Sequence, residues 1–335
     1  THVKVRHVSK RPDGSWMIHA TRLDRAERDT QDVTIEAGMV VLAAGTLGST
    51  EILLRSRESG LALSDRLGKR FSANGDIIAF GWGAKPIINA VGIGHPPRLG
   101  NREIGAAVSG HIEFRNPDDL ARELNVQEGA LPSAIAPALP LLFLPNGRLL
   151  GALQSLIKGV YNGPFAHLQT FFAVSHDSAA GVFHLDGDRL ALRWPGAKDE
   201  PVYHQIDDKL TQLVTQTGGS YVKNPLAGTV MGHQPSTAHP LGGCGMGAEC
   251  SDGVVNHKGQ VFDGAAGHGS ADVHAGLYVI DGAIIPRSLG CNPLLTITAL
   301  AERAMVHMAA DLGMSFDAGQ VAYGARSGEL QSTCE

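Results

Sequence analysis

Residues 277–312 read LYVIDGAIIPRSLGCNPLLTITALAERAMVHMAADL. Leu277 to Ile280 form an apolar run of strand type, and Asp281-Gly282 is a turn signal that ends it. A loop with two prolines and a glycine follows. From about Thr296 the apolar residues recur at spacings of three and four, as one face of a helix requires: Ile297, Leu300, Ala301, Ala304, Met305, Met308 and Leu312. The stretch therefore predicts a strand, an acidic turn, a loop and a long helix.

The entrance of this predicted helix has the features of a ligand site. Pro293 suits a first helical turn, because the backbone N–H groups there have no partner inside the helix. The same N–H groups and the positive end of the helix dipole favour an anion or an electron-rich edge of a ligand. We therefore expect the loop before the helix to face a ligand.

A second block, residues 237–244, reads TAHPLGGC. The segments VIDGAIIP…GCNPLLTITALAERA and HPLGGC resemble the signatures near the C-terminus of glucose–methanol–choline (GMC) flavoprotein oxidoreductases. The likeness is greatest to the cholesterol oxidase branch. Both blocks stand in the family's order, and the resemblance extends from the early strands to about Leu312. Ala238 occupies a position where cholesterol oxidases often have an aromatic residue, a departure that concerns sterol specificity.

The resemblance implies an α/β (mixed α+β) fold. A partial Rossmann-like FAD-binding domain would comprise residues 1–69 and 236–313, and residues 314–335 would be a tail. Residues 70–235 would form a substrate-binding domain with a mixed, largely antiparallel sheet covered by helices. We find no G-x-G-x-x-G loop near the N-terminus, and residues 243–248 follow a His-Pro loop instead of a strand. We expect the pyrophosphate loop in a segment upstream of Thr1.

Alternation of apolar residues and turn signals predict the other elements. In the first part of the chain these are a hairpin (Val3–Val8 and Trp16–Thr21), a strand at Val33–Ile35, a buried strand at Met39–Gly45 and a helix at Thr46–Ser56. Later ones are strands at Ile77–Trp82, His111–Phe114 and Leu168–Val174, a hairpin of Val182–Leu185 and Leu190–Trp194, and a surface helix at Ile206–Thr217. The proline-broken run Pro132–Pro145 is either a packed loop or a mobile lid over an apolar substrate.

Flavin-dependent oxidation of an alcohol needs a group that accepts the hydroxyl proton, a path for the hydride to flavin N5 and a group that holds the oxygen. The cofactor supplies the electron chemistry and the protein supplies placement and electrostatics. The resemblance assigns His239 to orient the hydroxyl and accept its proton, as histidine can near neutral pH. It assigns Asn292 as the partner, which donates to the substrate oxygen or contacts the flavin.

Two further assignments follow from the resemblance. Glu128 lies in the segment NVQEGA, which partly resembles the one whose glutamate shuttles a proton during enone isomerisation in cholesterol oxidases. A surface glutamate is the alternative reading. Asp281 would contact a ribityl or pyrophosphate-side group, and the helix start would approach the pyrimidine ring. The full set of residues expected to bind FAD is Ala44, Gly45, Asp281, Gly282, Asn292, Pro293, Leu294 and Thr296.

Composition excludes several other classes. The chain has 335 residues and a formal net charge of −5, so no basic footprint suggests nucleic acid. No apolar run is long enough to span a membrane. The four cysteines lack a C-x-x-C pair, which disfavours a zinc site built from Cys244, Cys250, His257 and His268. Ser175-His176-Asp177 is contiguous and therefore cannot form a hydrolytic triad within itself.

The sequence thus predicts oxidation of a bulky apolar, sterol-like alcohol, with FAD as cofactor and oxygen as the acceptor that yields hydrogen peroxide. A dehydrogenase using another electron carrier has the same motifs. The rival class is a non-catalytic piece, or a subunit that binds FAD only with a separate N-terminal chain, and we expect this chain to be inactive in isolation. The expected partners are a small-molecule alcohol and the upstream segment, and a transient contact with a membrane surface is compatible with an apolar substrate.

Overall fold

The fold was obtained as a computed structural model, which describes residues 2–26, 28–88, 90–91, 108, 110–132, 163–224, 235–267 and 269–315. The strands are β1 (Val3–Lys10), β2 (Trp16–Leu23), β3 (Asp29–Ala37), β4 (Val40–Leu42), β5 (Ile77–Trp82), β6 (His111–Phe114), β7 (Leu124–Gly129), β8 (Gln169–Ser175), β9 (Val182–Asp186), β10 (Arg189–Arg193), β11 (Ser220–Lys223), β12 (Gln260–Phe262) and β13 (Val273–Val279). The α-helices are α1 (Gly45–Glu58), α2 (Pro201–Gln216) and α3 (Leu294–Asp311).

Within these residues the strands form four sheets. β1, β2 and β3 make an antiparallel meander, and β9 and β10 make a hairpin. Five antiparallel strands form a larger sheet in the order β11-β5-β8-β7-β6. The last sheet has the order β12-β13-β4, in which β13 and β4 are parallel. This mixed architecture with a largely antiparallel sheet confirms the predicted fold class.

The sheet containing β13 and β4 lies in the largest hydrophobic core. Leu277 and Val279 of β13 are fully buried and pack in one cluster with Val40 and Leu42 of β4. Tyr278, which lies between them, is buried as well, so both faces of β13 are covered. The buried Trp16 of the meander donates from Nε1 to the carbonyl of Ala275, 3.0 Å away, which joins the meander to β13.

One face of the five-stranded sheet is covered by α2. Val126 and Ala173 lie opposite each other on β7 and β8 and share a core with Ile206 and Leu210 of the helix. Gln127 and Phe172 form the next pair along the same two strands. Because side chains alternate between the two faces of a strand, this second pair points away from α2. The face opposite α2 is the one that carries the candidate site.

Several predicted elements differ in extent from those observed. Helix α3 starts at Leu294, before the predicted Thr296, and Met305 and Leu312 of its apolar face are 45% and 54% exposed. Only two residues of the helix, Ala304 and Met308, are buried. Most of the predicted run Pro132–Pro145 lies outside the described residues.

Three strands have no counterpart in the prediction: β7, β11 and β12. β7 reads LNVQEG, whose polar residues give no clear alternation, and its pairing with β8 decides its conformation. β3 is longer than predicted because its polar residues pair with β2. Among the described helices, none combines the length and apolar character needed to cross a bilayer.

Candidate active site

Asp76 and His239 form the centre of the candidate site. Asp76 immediately precedes β5 and is fully buried. Its Oδ1 lies 3.1 Å from Nδ1 of His239. Its Oδ2 accepts hydrogen bonds from the backbone N–H groups of Ala238 (2.9 Å) and His239 (3.1 Å) and from the hydroxyl of Thr237 (2.9 Å). A carboxylate only accepts hydrogen bonds, so Nδ1 of His239 carries the proton and Nε2 is left as an acceptor.

The His239 ring is held on a second side by Phe172 of β8. The two ring centroids are 5.4 Å apart and the planes are nearly perpendicular, the edge-to-face arrangement that aromatic rings favour. The side chain of His239 keeps 19% of its surface exposed. The imidazole is therefore fixed in orientation by Asp76 and Phe172 and remains accessible to a small molecule.

Asn292 is joined to Gln127 of β7 by two hydrogen bonds. Gln127 Nε2 donates to Asn292 Oδ1 over 2.7 Å, and Asn292 Nδ2 donates to Gln127 Oε1 over 3.2 Å. Gln127 pairs across the sheet with Phe172, the residue that contacts His239. The structure thus brings His239 and Asn292 to neighbouring strands on the face that points away from α2.

The loop before Asn292 is held by Asn74. Asn74 Oδ1 accepts from the backbone N–H of Leu289 (2.8 Å), and Asn74 Nδ2 donates to the carbonyl of Cys291 (3.0 Å). Asn74 has a φ of +56°, a left-handed conformation that asparagine tolerates better than most residues. Between the two bonded positions, Gly290 has no room for a side chain, since a Cβ there would overlap the imidazole of His176.

Glu128 is not brought together with His239 and Asn292. It is the neighbour of Gln127 on β7, so its side chain points to the opposite face. Its partner across the sheet is Phe171, which packs in the α2 core. The surface alternative described for Glu128 fits this position, since the residue is exposed. Glu128, which the resemblance assigned to the site, is therefore one residue away on β7 from Gln127, which contacts Asn292.

The predicted cofactor residues at the end of β4 meet the Asp281 turn. Gly45 starts α1 with a φ of +77°, and its N–H donates to Asp281 Oδ2 over 2.9 Å. Ser49 Oγ also donates to this oxygen, at 2.5 Å, and Asp281 Oδ1 accepts from the N–H of Ala283 at 2.9 Å. Both carboxylate oxygens therefore bind the chain itself, and Asp281 joins β13 to α1. A direct contact between Asp281 and FAD stays a prediction.

Gly282 lies where three parts of the candidate site meet. A Cβ at Gly282 would lie 3.1 Å from Thr46 Oγ1, 3.3 Å from the carbonyl oxygen of Pro240 and 3.4 Å from Ile297 Cδ1. These atoms belong to α1, to the HPLGGC loop and to α3. The two glycines of HPLGGC serve the same close packing: a Cβ at Gly242 would overlap the carbonyl oxygen of Arg70, and one at Gly243 would overlap the hydroxyl of Thr50.

The start of α3 offers free backbone N–H groups next to exposed apolar side chains. Pro293 precedes the helix, and no side chain among the described residues caps its first turn. Leu294 and Leu295 are 72% and 82% exposed. Free N–H groups beside an apolar surface match a planar ring that has apolar faces and a polar edge. The contacts of Ala44, Gly45, Gly282, Pro293, Leu294 and Thr296 with FAD stay predictions.

The thiol of Cys244 belongs to the core. Burial raises its pKa to about 12, and its sulfur lies 3.6 Å from the hydroxyl of Thr50. A neutral, enclosed thiol is neither a nucleophile nor a metal ligand. In the parts of the chain that the structure describes, which exclude His268, no three metal-binding side chains cluster.

Comparison with known proteins supports the resemblance seen in the two motifs. Residues 189–301 match the family model described as GMC oxidoreductase. This part of the chain carries a GMC oxidoreductase domain. Two solved structures share the fold. Pyridoxine 4-oxidase from Mesorbium loti has a TM-score of 0.52 and 16% identity, with 91% of this chain and 57% of that chain covered. An FAD-dependent oxidoreductase from Chaetomium thermophilum has a TM-score of 0.55 and 15% identity, with 94% and 62% covered.

Curated relatives of this chain agree with that match. A cholesterol oxidase of Acinetobacter baumannii is 26% identical over 294 residues, which cover 81% of this chain and 47% of the relative. A cholesterol oxidase of Mycobacterium tuberculosis is 25% identical, with 90% and 51% covered. The long-chain-alcohol oxidase FAO4B of Arabidopsis thaliana is 26% identical, with 36% and 13% covered. The chain spans about half the length of the cholesterol oxidases it matches. These findings confirm the resemblance predicted from the two motifs.

Proposed function

We propose that this chain supplies the substrate-facing residues of an FAD-dependent oxidoreductase that converts the hydroxyl group of a bulky apolar alcohol to a carbonyl. The observation that carries the proposal is the contact between Asp76 and His239. It leaves Nε2 of His239 as a fixed acceptor on the same sheet face as Asn292. A fixed acceptor next to an amide N–H donor is complementary to a hydroxyl group, which both donates and accepts.

His239 would accept the hydroxyl proton at Nε2 as the alcohol is oxidised. The imidazolium that results would be stabilised by the adjacent carboxylate of Asp76, which is fully buried and therefore poorly screened by solvent. Asp76 would not take the proton itself, because its oxygens already accept hydrogen bonds from the 237–239 segment. Asn292 would donate an N–H to the substrate oxygen and hold it in place.

FAD, when bound, supplies the two-electron chemistry by accepting the carbinol hydrogen as a hydride. The strand end at Ala44 and Gly45, the turn at Gly282 and the start of α3 would hold it. The first-turn N–H groups and the positive end of α3 would favour the electron-rich edge of the ring. The exposed Leu294 and Leu295 would lie against apolar parts of the cofactor or of the substrate.

The names of the relatives support the substrate class. Cholesterol oxidases and a long-chain-alcohol oxidase both act on large apolar alcohols by name, and we propose a sterol-like or long-chain alcohol here. Oxygen would be the electron acceptor and would be reduced to hydrogen peroxide as the alcohol becomes a carbonyl compound. The second candidate is a dehydrogenase that passes the electrons to another carrier. Peroxide yield per carbonyl formed distinguishes the two.

The proposal is tested by steady-state oxidation of cholesterol and of a long-chain alcohol by the complete natural protein with FAD. His239→Ala should lower turnover by roughly 10²- to 10⁴-fold, the usual contribution of a general base. The matched control is His184→Ala, because His184 is exposed on the β9–β10 hairpin. Equal turnover of the His239 variant and the control would contradict the proposal, as would a wild-type protein that binds FAD but oxidises neither alcohol.

A further inference from the structure

We propose that Gln127 is a positioning residue that fixes the amide of Asn292 for the substrate oxygen. This inference rests on the proposed function and adds a residue that neither motif contains. Gln127 is 5% exposed and lies on β7, whereas Asn292 is exposed in the loop before α3. The buried amide therefore acts as the fixed partner of the pair.

Asn292 needs such a partner because its own backbone does not set the orientation of its side chain. Asn74 holds the loop through Leu289 and Cys291, which fixes where the Cα of Asn292 lies. The terminal torsion of an asparagine is broad, so the amide can still turn about its bond to Cβ. Among the described residues, Gln127 is the one partner of this amide by hydrogen bonding.

The pair also determines which atoms of Asn292 remain for the substrate. Oδ1 accepts from Gln127 Nε2, and one N–H of Nδ2 donates to Gln127 Oε1. An amide nitrogen has two N–H groups, so one donor is left. Nε2 of His239 is an acceptor, because Nδ1 donates to Asp76. The site then presents one donor and one acceptor, which an alcohol satisfies in a single orientation, with its proton toward His239.

A thermal-unfolding cycle tests the amide pair without reference to activity. Asn292→Ala leaves the buried amide of Gln127 without its partner and should lower the Tm by roughly 2–4 °C. Adding Gln127→Leu to that variant removes the stranded polar group and should restore much of the loss. The control is Gln216→Leu, the same change at an exposed position at the end of α2. Additive shifts in the double variant would overturn the pairing.

A kinetic cycle tests the positioning role in the complete natural protein with FAD. Gln127→Leu should lower kcat by about 10- to 100-fold, the cost of misplacing a donor, with little change in KM. In the Asn292→Ala background the same substitution should have no further effect. Gln127→Glu keeps an acceptor for Asn292 Nδ2 but loses the donor to Oδ1, so it should restore part of the lost rate.

The outcomes separate this inference from the proposed function. The positioning role would be overturned if Gln127→Leu lowered kcat equally in the wild-type protein and in the Asn292→Ala variant. An Asn292→Ala variant with unchanged kcat would overturn it too. Failure of the proposed function would instead appear as unchanged turnover in His239→Ala, with the coupling in thermal unfolding still present.

Discussion

Asn74 and Asp76 lie two residues apart in one turn, and each holds a different loop of the candidate site. Asp76 contacts His239 through its carboxylate, and Asn74 forms hydrogen bonds with the backbone of the loop that leads to Asn292. Both side chains are fully buried. The turn before β5 therefore sets the position of the proposed base relative to the proposed hydrogen-bond donor, although neither of its two residues belongs to a recognisable motif.

The role of Asp76 predicts that its charge matters more than its shape. Asp76→Asn keeps the size of the side chain. Its amide nitrogen, however, cannot accept a hydrogen bond from residues 237–239 or from the imidazole of His239. We expect turnover to fall by at least about 10²-fold, since the wrong tautomer of His239 would then be favoured. Steady-state kinetics of the FAD-loaded protein measure this. Asp199→Asn, at an exposed position, is the control, and an equal effect of the two changes would contradict the role.

The left-handed conformation of Asn74 predicts a difference between two substitutions. Asn74→Gly keeps the conformation but loses both hydrogen bonds, and should lower the free energy of unfolding by about 1–3 kcal/mol. Asn74→Ala adds the strain of a Cβ at positive φ, about 1–2 kcal/mol more. Chemical denaturation of both variants measures the difference. Equal stability would show that this backbone conformation is not retained in solution.

Glu128 gives a prediction on which the resemblance and the structure disagree. The resemblance predicts that Glu128→Gln leaves oxidation intact and removes isomerisation of the enone. Its position on the α2 face predicts that both the rate and the product mixture stay unchanged. Product analysis by chromatography after oxidation of cholesterol decides between them. Loss of the isomerised product would show that the carboxylate reaches the substrate and that the register of β7 differs.

The cysteines predict a selective pattern of labelling. Cys244 is buried with a pKa raised to about 12, and burial also raises the pKa of Cys250. Cys291 is a free, exposed thiol. Iodoacetamide near pH 8 should therefore modify Cys291 before Cys244 and Cys250, and mass spectrometry of peptides can follow this. Because Cys291 precedes Asn292, its modification should also reduce activity, and Cys291→Ser should protect against that loss. Rapid labelling of Cys244 in the folded protein would contradict the packing of the HPLGGC loop.

The sequence predicts the parts of the fold and site that are written in contiguous residues. The strand, turn, loop and helix of residues 277–312 are present, with the helix beginning at Leu294 instead of about Thr296. His239 and Asn292 were found because each lies in a compact motif. The predicted roles of these two residues, and the predicted domain boundaries, stay predictions.

Asp76, Asn74 and Gln127 could not be found in the same way. Asp76 is 163 positions from His239 in the chain, and Gln127 is 165 positions from Asn292. Such contacts depend on tertiary packing and leave no pattern in the local sequence. The one local signal was the position of Asp76, an acidic residue just before the apolar strand β5. The choice between Gln127 and Glu128 depends on the register of β7, since a step of one residue reverses the face of every side chain.

The most direct test of the central claim is the visible absorbance of the FAD-loaded protein mixed anaerobically with a sterol or long-chain alcohol. If His239 is the base, the flavin band of the wild-type protein should bleach, and that of His239→Ala should bleach roughly 10²- to 10⁴-fold more slowly while FAD stays bound. Bleaching at the same rate in both proteins would contradict the assignment of His239, and bound flavin that never bleaches in the wild-type protein would contradict the proposed oxidation.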